Sequence, residues 1–165
     1  MRLLSLALSC LLFSASCGGS SDPGALTDSG MQALRSGDYS TAETDFDRAL
    51  EVIGSDTAHP QYKRAMMGVI QARVHTDAAR AQSGLLALRK ALGEKVTDSD
   101  FQKIANLLGG EGKFTEAITL LTEGQKAFPG SVQLDTLGKN LARQAEAAND
   151  KSATSALAGL GYVGD

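Results

Sequence analysis

Two blocks of this chain, GDYSTAETDFDRAL (37–50) and GKFTEAITLLTEGQKAFP (112–129), follow one pattern 75 residues apart. Each opens on Gly, a charged residue and an aromatic. Phe114, Ala117, Leu121 and Gly124 then repeat the spacing of Tyr39, Ala42, Phe46 and Ala49. Steps of three and four place these residues on one face of a helix. Glu43, Asp45, Asp47 and Arg48 fall between them, on a solvated face. An internal repeat of this kind restricts the fold severely. One helical hairpin cannot bury its apolar face alone, so it must stack against copies of itself.

The pattern resembles the tetratricopeptide repeat, whose second helix carries an aromatic, an Ala, a bulky residue and a small one. The first helix of that family carries a small residue where two helices cross. Gly30, Gly68 and Ala105 fill that place at spacings of 38 and 37, against about 34 for the standard unit. The loops around GSDTAHP (54–60) and GEKVTDSD (93–100) take up the excess. Pro129 ends the third unit, and Gly54 stops the first. The middle unit, DAARAQSGLLALRKALG (77–93), keeps Ala81, Leu85, Leu88 and Leu92 on one face but lacks the aromatic. Residues 131–148 read as a polar-faced closing helix, which a repeat stack needs at its open end. The resemblance therefore implies an all-α, right-handed solenoid of about three helical hairpins plus a C-terminal capping helix over residues 23–148. An ordinary antiparallel bundle is the alternative that the repeated blocks disfavour. Residues 149–165 read as a polar linker and an apolar tail, LAGLGYVGD, that docks on the closing helix or is offered to a partner. The tail is similar to a segment near the ends of some bacterial sulfatase-like proteins, which implies at most an accessory role beside such a hydrolase.

The first sixteen residues have the organisation of an export leader. Arg2 supplies a positive charge, Leu3 to Phe13 are almost wholly apolar, and Ser14, Ala15 and Ser16 are small. Spanning a bilayer takes about 20 apolar residues, more than this run supplies. The arrangement around Cys17 resembles the lipobox of bacterial lipoproteins, with Ser14 where that family has Leu. The resemblance implies a lipidated Cys17, a short spacer over 18–22, and a membrane anchor on the cell envelope, with the outer membrane's periplasmic face as its site in a Gram-negative cell. Cleavage after Ser16 without lipidation, giving a secreted protein, also fits the small residues.

Removal of the leader leaves 149 residues, enough for one domain with its own core. It also removes Cys10, so no intramolecular disulfide remains. Net charge becomes −4 once Arg2 is lost from a chain at −3, which argues against a general nucleic-acid binder. Charge is segregated: residues 57–95 hold 7 bases and 2 acids, residues 22–56 hold 8 acids and 2 bases. The basic middle is expected to pair with the acidic units beside it, the alternative being an acidic partner or lipid headgroups.

No catalytic or metal-binding constellation is evident. His59 and His75 lack partners at ligand spacing, and Gly109–Gly112 lies between helices as a helix stop. No cofactor is expected, and the reading is non-enzymatic. In the resembled family the first helices line a concave groove for a peptide or partner protein. By position that groove comprises Met31, Leu34, Arg35, Tyr62, Ala65, Val69, Arg73, Gln102 and Asn106. Family members that clamp a terminal carboxylate use paired Lys and Asn. Thr27, Met31, Met66, Ser99 and Lys103 stand in those places, so that mode is not expected here.

Overall fold

The computed structural model describes residues 21–163. The leader and Cys17 lie outside them. Eight α-helices are found among the described residues: α1 (Pro23–Ser36), α2 (Tyr39–Ile53), α3 (Tyr62–Thr76), α4 (Ala78–Leu92), α5 (Asp98–Gly110), α6 (Phe114–Ala127), α7 (Val132–Ala147) and α8 (Lys151–Gly159). One turn of 3-10 helix, Gly93–Lys95, joins α4 to α5. Consecutive helices pack as hairpins. The first helices α1, α3, α5 and α7 also pack in series, as do the second helices α4, α6 and α8. The result is an all-α, solenoid-like stack, as expected.

The stack holds four hairpins, where three and a capping helix were expected, because α7 is followed by α8. Residues 149–159, read as linker and tail, form the turn into α8 and the helix itself. The reason lies in the turns. Gly37, Gly112 and Asn149 have φ of 79°, 69° and 54°, the left-handed region where Gly is cheapest and Asn is tolerated. Each turn is closed by the same pair of backbone bonds. Asp38 N–H donates to Ala33 at 3.0 Å, Lys113 N–H to Leu108 at 2.8 Å, and Asp150 N–H to Ala145 at 2.9 Å. Asp38 and Asp150 then cap α2 and α8, accepting from Thr41 N (3.0 Å) and Ala153 N (2.9 Å). Asn149-Asp150 thus copies Gly37-Asp38 in different letters.

Small residues on the first helices set the packing distance. The fully buried Phe46 ring lies between α1 and α3. A Cβ at Gly30 would stand 2.8 Å from it, and one at Gly68 closer still. Gly138 of α7 likewise receives the Tyr162 ring, whose hydroxyl accepts a bond from Gln125 Nε2. The C-terminal segment therefore docks on α7, with Leu157 of α8 fully buried beneath it. Burial pushes the Tyr162 phenol above its ordinary value, and Asp135 adds to this.

The core divides at α3. Ala65, Val69 and Ala72 join Leu26, Ala42 and Phe46 in a cluster with α1 and α2. Met67, Ile70 and Val74 join the larger cluster that runs through α4 to α8. A helix apolar on opposite faces is a buried one, and α3 is the wall that both cores share. No helix among the described residues is long and apolar enough to cross a membrane.

Gly68→Ala should destabilise the fold by about 1–3 kcal/mol through overpacking against Phe46. Gly110→Ala meets open space and should stabilise slightly, since Ala is the better helix former. Urea unfolding followed by circular dichroism reads both, and equal effects would show that Phe46 is not clamped.

Candidate functional site

The series of first helices leaves two clefts on its surface. In the first, Met31, Leu34 and Arg35 of α1 meet Tyr39 at the start of α2, Gln71 and His75 of α3, and Leu107 of α5, around about 230 Å³. In the second, Gln102, Lys103 and Asn106 of α5 meet Leu137 and Asn140 of α7, around about 290 Å³. Asn106 and Leu107 are chain neighbours, so the clefts adjoin across α5.

His75 stands on the last turn of α3 because Asp77 leaves the helix to cap α4, accepting from Arg80 N at 3.0 Å. Its ring stacks on Tyr39 with centroids 3.7 Å apart. Its Nδ1 lies 3.2 Å from Glu111 Oε1. One side chain thus ties α3 to the turns of the units before and after it. The second cleft is bordered by a polar ladder. Ser99 Oγ donates to Gln133 Oε1 at 2.7 Å and Gln102 Nε2 donates to the Gln133 carbonyl at 3.3 Å. Arg143 donates to Asn140 Oδ1. The chemistry is an apolar floor flanked by amides and cations, suited to holding a polypeptide.

Met31, Leu34 and Arg35 line the first cleft and Gln102 and Asn106 the second, so the residues assigned to one groove are divided between two clefts. The four α3 positions do not join them. Ala65 is 0 % and Val69 1 % exposed, inside the smaller core. Tyr62 packs on the larger core. Arg73 faces α2, its Nε donating to Glu43 Oε1 at 2.7 Å with Asp47 Oδ2 3.7 Å away. The α3 residues of the cleft are instead Gln71 and His75. Periodicity could not choose between these stripes, because α3 is apolar on both sides of each. Tyr39, Leu107, Lys103 and Asn140 were also missed as groove residues; Lys103 and Asn140 carry the signal of polar residues on first-helix faces.

Of the seven bases in the middle segment, Lys63, Arg64 and Arg73 pair with acids of neighbouring units. Arg64 reaches Asp28 of the first unit at 2.8 Å, and Lys63 reaches Asp100 of the third at 2.7 Å. Such partly exposed pairs contribute about 0–1 kcal/mol each, and they fix which units lie side by side. His59 Nδ1 accepts from Gln61 N–H at 3.2 Å, a turn role. No group of three or more His, Cys, Asp or Glu among the described residues could hold a metal ion. A hollow of about 410 Å³ at the α7–α8 end, lined by Glu146, Asn149, Lys151, Thr154, Ser155 and Ala158, gathers no comparable chemistry. No protein-family model matches the chain, and no curated protein matches it.

Burial raises the Asp47 carboxyl above its ordinary value, outweighing the pull of Arg73. A raised carboxyl costs stability at neutral pH, and the cost disappears once pH falls below the unfolded-state value. Asp47→Asn should therefore melt above wild type at pH 7, the gap closing on acidification through the carboxylate range. Glu43→Gln, which removes the closer Arg73 partner, should melt below wild type at pH 7.

Proposed function

We propose that this chain is a tetratricopeptide-type adaptor of the bacterial cell envelope. It docks an extended segment of a partner protein across its first helices and is held to a membrane through lipidated Cys17. The observation that supports docking is the adjoining pair of clefts across α5, with Met31, Leu34 and Leu107 beside the side-chain amides of Gln102, Asn106 and Asn140. Amides there can satisfy the backbone of an extended guest, whose N–H and C=O groups must find partners once covered. The lipobox-like SASC sequence supports the anchor, and two or more acyl chains would hold it stably.

Photo-reactive residues placed at positions 31 and 107 in cells should give adducts with one partner, and a probe at Val52, half exposed on α2, should give none. Adducts from position 52 alone would move the docking surface off the first helices. Mass spectrometry of the mature N-terminus should find Cys17 diacylated or triacylated. An unmodified Cys17 would make the protein a secreted adaptor.

A further inference from the structure

Arg35 and Lys103 line the two clefts. Acids outnumber bases in the chain, 19 to 16, yet no carboxylate lines either cleft. Of the acids near this face, Asp28 pairs with Arg64 and Asp100 with Lys63, and Glu111 stands 3.2 Å from His75 Nδ1. Arg35 in the first cleft and Lys103 in the second are exposed, and neither makes an ion pair among the described residues, whereas Lys63, Arg64 and Arg73 all do. Arg143 lies beside the second cleft, held by Asn140.

Resting on the docking role proposed above, we infer that the occupant is an acidic, extended segment of a partner protein carrying an apolar anchor. The anchor covers Met31, Leu34 and Leu107. Carboxylates of the segment face Arg35 on one side and Lys103 on the other, and the amides between them take the guest backbone. Complementary charge of this kind fixes register and excludes basic partners. A bilayer is a poorer fit. Its surface is flat where the cations border clefts, and about 1 kcal/mol per basic residue near anionic lipid gives little from two or three. Nucleic acid is poorer still, since Tyr39 is already stacked on His75 and few phosphates could be neutralised.

The test is fluorescence anisotropy on the full chain in detergent, with labelled peptides alternating Leu and Glu, Leu and Lys, or Ser and Glu. The Leu–Glu peptide should bind best. Arg35→Glu/Lys103→Glu should weaken it by about tenfold or more and turn preference to the Leu–Lys peptide, at an unchanged melting temperature. Equal binding of the Leu–Glu and Leu–Lys peptides, or indifference to the double substitution, overturns the inference. Stronger binding of a Cys17→Ser chain, without detergent, to phosphatidylglycerol vesicles than to the Leu–Glu peptide overturns it also. Adducts at positions 31 and 107 with a partner segment lacking acids would overturn the acidic guest while leaving the docking role intact.

Discussion

The Phe46 ring, closed between Gly30 and Gly68, is the contact on which the rest of the structure depends. It brings α1 and α3 to a separation that only a missing Cβ permits. That separation allows α3 to serve two cores. Ala65, Val69 and Ala72 face one way and Met67, Ile70 and Val74 the other. Because both broad faces of α3 are consumed by packing, only a narrow strip holding Gln71 and His75 remains for the surface cleft. The shape of the first cleft is thus a by-product of close packing. Tyr162 over Gly138 covers α7 at the far end of the stack with the same device.

Charge has two separate tasks in this molecule. Between units, Arg64, Lys63 and Arg73 of α3 each reach an acid on a neighbouring unit. These pairs add little stability individually. In the two clefts no carboxylate lines the surface, and Arg35 and Lys103 make no ion pair among the described residues.

Much of the architecture was legible in the letters. The shared spacing of Tyr39–Ala49 and Phe114–Gly124 located α2 and α6, and the small residues Gly30, Gly68 and Ala105 located the crossings. The fourth hairpin was not read, although Asn149-Asp150-Lys151 holds the turn of Gly37-Asp38-Tyr39. Asn substitutes for Gly in the left-handed conformation, and α8 is short, with Ala153 and Leu157 as its buried residues. The groove was half legible. Met31, Leu34, Arg35, Gln102 and Asn106 lie on helices with one buried face, so their exposed stripe follows from the period. Tyr62, Ala65, Val69 and Arg73 lie on a helix with two.

The sequence by itself determined what repeats here: the helical period, the turns made from Gly-Asp or its equivalents, and the small residues at which helices cross. These are local properties, each set by a few neighbouring residues and their backbone preferences. Only the tertiary structure decided which stripe of α3 meets solvent, which cation is left without an acid, and that His75 would stack on Tyr39, 36 positions earlier. Those outcomes depend on what stands opposite each face once the hairpins stack, and a helix carries no record of that in its own period.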